Sequence, residues 1–297
     1  MPALLDSNLL NWFDTASPRR IVSLVPSYTE SLFDLGFGEA VVGVSDYCTR
    51  PAQGVANLPR VGGPKNARVE DILRLAPDLV IANREENTRE IVEALCQAGI
   101  PVWVNFPRSV QEAITDLYTI TRLFRSETAL LRVQIIERNV EWARLAAQER
   151  KTRYFCPIWQ DRLETGILWW MTFNAQTYSS DLLALLGGEN IFAHRSRRYP
   201  MLAEFGLLPE EDPGERDTRY PRVTRAEVTA GQPETIILPD EPYAYQEADA
   251  QRFAEWFSST PAAQHGKIFV VDGSLITWYG TRLAAALQEL PAIFDEG

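Results

Sequence analysis

Histidine is almost missing from this chain: His194 and His265 are the only two in 297 residues. That scarcity excludes a multi-histidine transition-metal site, and it leaves a hydrolytic triad without a general base in any recognisable motif. Cysteine is scarce as well. Cys48, Cys96 and Cys156 are odd in number and far apart, so they give neither a disulfide framework nor a metal-ligand spacing. They read as buried free thiols. No run of 18 apolar residues occurs, so no segment is suited to cross a bilayer as a helix. Positive charge is outweighed, 29 Lys and Arg against 40 Asp and Glu. The resulting net charge of −11 repels nucleic acid and anionic lipid, which removes both as partners. The opening stretch "MPALLDSNLLNWFDTASPRR" lacks the basic start, apolar run and small-residue cleavage site of a secretory signal. As it stands the chain reads as cytoplasmic, or as one whose leader has been removed or lies outside the given sequence.

Nucleotide loops are absent too. "GFG" at 36–38 follows a helix instead of opening one, which makes it a stop signal and not a phosphate cradle. Ser27 sits between a strand and a helix, as the nucleophile of a hydrolase elbow does. Pro26 and Tyr28 flank it where that elbow needs glycines, so no catalytic residue is assigned. The spacing Ser27-x-x-Glu30 matches a helix capping box instead. The acidic stretches "NREENTRE", "PEEDPGERD" and "PDEP" read as solvated surface, and no metal site is assigned.

What is present is an alternation of short apolar runs and amphipathic segments. Strands are expected at 20–25, 40–45, 78–83 and 101–106, with helices between them, a pattern of buried parallel strands in an α/β layer architecture. A helix follows the capping signature Ser109-x-x-Glu112. A second, with Leu130, Val133, Ile136, Val140 and Ala143 on one face, runs from 126 to 149 without Gly or Pro. The pattern restarts at "RYFCPIW". "SYTESLFDLGFGE" (27–39) aligns with "TYSSDLLALLGGE" (177–189) at a constant offset of 150, pairing Tyr28 with Tyr178. "VEDILRLAPDLVIANREEN" pairs with "RAEVTAGQPETIILPDEP", which sets Glu70 against Glu227. The expected fold is therefore two similar α/β lobes with mostly parallel sheets, joined by a long backbone helix, with a ligand cleft between the lobes. The expected boundaries are an extension at 1–18, a first lobe at 19–108, linking helices at 109–151 and a second lobe at 152–297.

Aromatic residues supply the chemistry. Trp159, Trp169, Trp170, Tyr199, Tyr220, Tyr243, Tyr245, Trp278 and Tyr279 fall at strand ends or in loops. Their broad apolar faces and single polar handles suit a large, flat, partly polar ligand.

The segments "RIVSLVPSYTESLFDLG", "VEDILRLAPDLVIA", "LLGGENIF", "RYPRVTRAEV" and "DGSLITWYGTRL", in that order, are similar to the cobalamin-type substrate-binding proteins of ABC importers, the helical-backbone class III. The resemblance covers residues 19 to 294. It implies reversible, non-enzymatic binding of a corrinoid (cobalamin or cobinamide) for delivery to an importer, with no cofactor of the protein's own. It also implies a monomer. Ser27, Tyr28 and Thr29 would form one lip of the cleft, with Asn83 and Arg84 at its mouth. Trp159, Trp169, Trp170, Tyr220, Trp278 and Tyr279 would supply aromatic walls. Glu70 and Glu227 would dock on arginines of the permease. Two departures stand out: "VGGPKNARVE" carries Pro64 where the family often has Trp, and residues 193–219 form an extra charged, Pro-rich segment. A ferric siderophore or haem remains an alternative ligand, with Arg84, Arg197, Arg198 and Arg222 as candidate partners. A cytoplasmic corrinoid carrier or sensor is the other alternative.

Overall fold

β-Branched runs bounded by Gly, Pro and helix caps make the strands, and strand order makes the architecture. The computed structural model describes residues 6–147 and 151–294. By internal contacts the chain divides into two compact units, Met1–Arg138 with Trp278–Ala284, and Asn139–Thr277 with Ala285–Gly297.

The first unit opens with helix α1 (Asp6–Trp12), followed by β1 (Ile21–Ser23), α2 (Pro26–Asp34) and β2 (Val41–Val44). Next come α3 (Ala52–Val55), α4 (Val69–Arg74), β3 (Leu79–Asn83), α5 (Arg89–Gln97), β4 (Val102–Asn105) and α6 (Val110–Phe124). Its four strands are parallel in the order β2-β1-β3-β4. Val22, Leu24, Ile72, Val80, Leu95 and Val102 build the core beside that sheet. Ser109 caps α6 by accepting from the Glu112 N–H at 3.1 Å, as its spacing predicts. Helix α7 (Glu127–Ala146) begins in this unit and ends in the next. Val133, Ile136 and Val140 form its buried face, as expected; residues 148 and 149 of the expected helix lie outside the described residues.

The second unit contains β5 (Thr152–Phe155), β6 (Trp159–Arg162), β7 (Leu168–Met171), α8 (Tyr178–Leu185), β8 (Gly188–Asn190) and β9 (Arg222–Thr224). It continues through α9 (Arg225–Gly231), β10 (Thr235–Pro239), α10 (Glu247–Trp256), α11 (Pro261–Gln264), β11 (Ile268–Val271) and α12 (Ser274–Thr277). Helix α13 (Leu283–Glu289) follows. The parallel strands run β8-β5-β10-β11, so second, first, third, fourth, the order of the first unit. Both sheets therefore repeat one plan. A separate antiparallel sheet, β6-β7-β9, has no counterpart among the described residues of the first unit and was not expected. It shares a core with Phe155, Trp170, Val223, Phe253 and Phe257.

The repeat is one residue out from its sequence alignment. Gly36 and Gly187, both left-handed at φ 92° and 96°, stand two residues beyond the last residues of α2 and α8, Asp34 and Leu185. The offset there is 151, because only Gly escapes the Cβ penalty at a left-handed helix stop. Tyr28 lies at the third position of α2 and Tyr178 at the first of α8, so the two tyrosines are not equivalent.

Candidate ligand-binding site

Parallel α/β sheets present ligand groups at the carboxyl ends of their strands. In the first unit β3 and β4 both end in Asn, and Asn83 and Asn105 are register partners. The Asn83 Oδ1 accepts from the Glu85 and Glu86 N–H groups at 2.7 and 3.3 Å, an Asx turn that orients the amide. Its Nδ2 then donates to Asn105 Oδ1 at 2.9 Å and to the Tyr279 hydroxyl at 2.6 Å. That hydroxyl donates in turn to Glu86 Oε1 at 3.4 Å. The Tyr28 ring lies edge-on to Trp103 at 5.3 Å and tilted against Tyr279 at 5.4 Å, while its hydroxyl donates to Asp116. Asn83, Asn105, Tyr28, Trp103 and Tyr279 are all buried, so the group is a packed, hydrogen-bonded cluster, the candidate floor of a site.

Residues 278–284 are fastened to α2. Ser31 Oγ accepts from the Thr281 N–H at 3.0 Å. Gly280 lies at φ +82°, and a Cβ there would come within 2.2 Å of Ser31 Oγ. Arg282 pairs with Glu30 at 2.9 Å. Burial pushes the Glu30 carboxyl above the ordinary carboxylate range, and Arg282 opposes the shift. The half-buried Trp278 ring has two guanidinium carbons near it, Arg50 at 5.7 Å and Arg282 at 5.9 Å.

The capping role expected of Ser27 is corrected by this geometry. Pro26 is the first residue of α2 and Val25 its N-cap, with no side-chain cap. A Pro already fits the first helical position because its missing N–H has no partner to lose there. Ser27 therefore falls inside the first turn, and its Oγ is buried with no hydrogen-bond partner among the described residues. Glu30 turns to Arg282 instead of back to the cap. Thr29 is wholly buried and donates to Ser23 Oγ at 2.8 Å. Arg84, by contrast, is exposed, with its guanidinium 5.3 Å from the Phe106 ring.

In the second unit Trp159 is 42% exposed on the edge strand β6 and meets Tyr243 edge-on at 5.7 Å. Trp169 and Trp170 alternate across β7. Trp170 is a core residue ringed by Phe155, Phe253, Trp256 and Phe257. Trp169 is covered by Phe205 and by the Arg222 guanidinium at 5.2 Å. Tyr220 is half-buried under Arg219.

The extra segment 193–219 is tied down by charge. Arg195 pairs with the buried Glu204 at 2.9 Å and with Glu227 at 3.2 Å, and Arg197 and Arg216 lie over the Tyr199 ring at 4.8 and 4.2 Å. Arg198 faces Glu210 at 3.5 Å. Burial raises the Glu204 carboxyl, against the lowering influence of the Arg222 N–H and of Arg195. Burial and the neighbouring Arg197 lower the Arg222 guanidinium. The Arg222 Nε and Nη1 and the Arg197 Nε are buried without a hydrogen-bond partner among the described residues.

The two acidic positions matched by the repeat differ in their surroundings. Glu70 is exposed in the first turn of α4. Glu227 completes a capping box on α9, with Oε2 accepting from the Thr224 N–H at 2.8 Å, while Oε1 faces Arg195.

The structure thus brings Tyr28, Asn83 and Tyr279 together, groups Trp169 with Arg222, and leaves Trp159, Tyr220 and Trp278 with partly open faces. The sequence reading missed Trp103, Asn105, Asp116 and Arg282. For Asn105 a signal existed: "DLVIAN" and "PVWVNF" carry Asn at matching strand ends. Among the described residues no group of three or more His, Cys, Asp or Glu is arranged to hold a metal, and no helix is long and apolar enough to cross a membrane. All three cysteines are buried, and burial raises each thiol above its ordinary value.

The sequence pattern of the family described as periplasmic binding protein matches residues 21–275. A vitamin B12-binding protein of Yersinia pestis (strain Pestoides F) is 28% identical over 221 residues, 74% of this chain and 69% of the relative. Among solved structures, the periplasmic vitamin B12 binding protein BtuF of Vibrio cholerae shares the fold with a TM-score of 0.73 at 21% identity, over 94% of this chain and 97% of that one. The periplasmic haem-binding protein RhuT of Roseiflexus sp. RS-1 gives 0.71 at 22% identity, over 93% and 97%.

Proposed function

The chain belongs to the periplasmic binding protein family, and from that premise we propose that it binds a corrinoid, cobalamin or cobinamide, and delivers it to an ABC importer. It works as a binding protein and not as an enzyme, and its corrinoid is cargo rather than cofactor. Residues 19–108 and 152–297 are the two ligand-facing lobes in this reading, with 109–151 as the linking helices. The observation that carries it is a set of incompletely covered aromatic rings: Trp159 is 42% exposed, and Tyr220 and Trp278 are half-buried. Aromatic faces suit a flat macrocycle, and a corrin's amide rim suits hydrogen-bonding neighbours better than a ring of carboxylates. Buried Tyr28, Asn83 and Tyr279 hold the Trp278 segment in shape, and Ser27 and Thr29 belong to the same first-unit lip of the proposed site. The Yersinia pestis relative, named for vitamin B12 binding, supports the same ligand class. Glu70 and Glu227 are the proposed contacts to permease arginines.

One observation favours a second reading. The unpaired guanidinium nitrogens of Arg197 and Arg222 favour an anionic chelate, a haem or a ferric siderophore. Calorimetric and visible-absorbance titration with cobalamin, cobinamide, haem and a ferric siderophore separates the readings. Tight corrinoid binding is expected. Failure of both corrinoids to bind would refute the main reading, and tight binding of haem or siderophore alone would establish the second.

A further inference from the structure

Six arginines lie between residues 193 and 222, and four of them have a carboxylate partner. Arg195 takes Glu204 and Glu227, Arg198 faces Glu210 at 3.5 Å, Arg216 faces Glu211 at 3.8 Å and Arg219 pairs with Asp217 at 2.6 Å. Arg197 and Arg222 are left over. The Nε of each, and Nη1 of Arg222, are buried with no hydrogen-bond partner among the described residues. Each guanidinium lies instead over an aromatic ring, Arg197 over Tyr199 at 4.8 Å and Arg222 over Trp169 at 5.2 Å. A ring against the flat face of a guanidinium leaves its N–H edge for a forked oxyanion. Backbone bonds fix both positions: the Arg197 N–H donates to the Thr218 carbonyl at 2.8 Å, and the Arg222 N–H to Glu204 Oε1 at 3.1 Å. Burial first, and then the neighbouring Arg197 charge, lower the Arg222 guanidinium, so the two cations lie within each other's field. Holding two like charges together away from water is costly, and a bound anion relieves that cost.

We propose that Arg197 and Arg222 form an oxyanion subsite in the second unit that takes the phosphodiester of a corrinoid, so that the protein selects cobalamin over cobinamide. This inference rests on the corrinoid reading given above. The side chains around a corrin ring are neutral amides. The phosphodiester that carries the nucleotide is the one anionic group on the periphery of cobalamin, and cobinamide has none. Its two non-bridging oxygens offer one acceptor to each guanidinium, in bonds that are charge-assisted and stronger than those to an amide. The net charge of −11 gives the chain no general attraction for anions, so the selection depends on this local pair.

Calorimetry with cyanocobalamin, dicyanocobinamide and cobinamide phosphate, which has the phosphate without the base, tests the assignment. The wild type is expected to bind both phosphate-bearing corrinoids about tenfold or more tightly than dicyanocobinamide, the worth of one charge-assisted hydrogen bond. Arg197→Gln and Arg222→Gln should each shrink that ratio by about the same factor, and raised salt should shrink it too. Arg197→Lys and Arg222→Lys keep the charge but lose the fork, so they should retain part of the ratio, and they serve where a glutamine variant does not fold. Equal wild-type affinity for all three corrinoids overturns the proposal and leaves the corrinoid reading standing. So does an equal loss of phosphate-bearing and phosphate-free ligands in the variants. Tight binding of cyanocobalamin alone would assign the preference to the base and overturn it as well. Failure of all three to bind refutes the corrinoid reading, and this proposal with it.

Discussion

Replacing Tyr279 by Phe removes one oxygen from the floor of the first unit and leaves its ring in place. The Tyr279 hydroxyl accepts from Asn83 Nδ2 at 2.6 Å, and Asn83 cannot turn to find another acceptor. Its Oδ1 is already held by the Glu85 and Glu86 N–H groups. The substitution therefore strands one buried amide hydrogen, at a cost of about 1–3 kcal/mol. The ring contact with Tyr28 at 5.4 Å survives, so Tyr279→Ala should cost several kcal/mol more through the lost ring, on the order of the 3–5 kcal/mol of buried aromatic truncations. The sharper test is a double-mutant cycle. In an Asn83→Ala background the stranded donor no longer exists, so Tyr279→Phe should become nearly neutral, with a coupling of about 1 kcal/mol or more. Urea unfolding followed by far-ultraviolet circular dichroism measures each corner, with an unchanged slope marking a pure stability effect. Equal costs of Tyr279→Phe in both backgrounds would refute the reasoning, since the hydroxyl would then not be serving Asn83.

Trp278→Ala and Tyr220→Ala should each weaken corrinoid binding by about 2 kcal/mol or more, roughly 30-fold, in calorimetry; unchanged affinity would mean that other residues make the walls. Glu227→Ala removes a capping box and an ion pair and should lower stability by about 1–2 kcal/mol, whereas exposed Glu70→Ala should stay within about 0.5 kcal/mol. Both substitutions should reduce uptake by vesicles containing the importer, so matching melting temperatures for the two proteins would contradict the capping argument. Glu204 has a folded carboxyl raised above its ordinary 4.5, so its stabilising contribution is full below that value and is lost as pH rises through the folded value. Thermal unfolding from about pH 4 to about pH 7 should show the wild type losing ground against Glu204→Gln. A flat difference, or one growing in the wild type's favour, would count against burial as the dominant influence.

Much of the fold was legible because its strands are short apolar runs cut by strong stop signals. Val41–Val44, Leu79–Asn83 and Val102–Asn105 fall inside their expected ranges, and the internal repeat anticipated similar, mostly parallel α/β sheets, which the structure shows to share one strand order. The antiparallel sheet was hidden because "WQDR" on the edge strand β6 has no apolar alternation, while "LWWM" on β7 has apolar residues on both faces. Ser27 was misread as a cap because the sequence spacing Ser27-x-x-Glu30 is the same whether the helix begins at Pro26 or after Ser27. Proline decides the matter through its own preference for the first helical position. The floor of the candidate site was least legible. Asn83 and Tyr279 stand 196 residues apart, and Arg282 and Glu30 stand 252 apart by subtraction of their numbers. Local pattern carries no information about such pairs. The family resemblance named Tyr28, Asn83 and Tyr279 as cleft residues, and the two strand-terminal asparagines were the only local hint of how they meet.

The return of Trp278–Ala284 to the first unit has a consequence for how the chain is made. A ribosome releases residues in order, and domains ordinarily fold as their last residue emerges. Here the first unit lacks Tyr279, Thr281 and Arg282 until nearly the whole polypeptide has been synthesised. Until then Asn83 has no tyrosine to bond, and Glu30 is a carboxylate with no arginine beside it. The amino-terminal half must therefore wait, unfinished, for the carboxyl-terminal half. A nascent chain arrested shortly before residue 278 should be digested by protease in its first 138 residues far faster than the released protein.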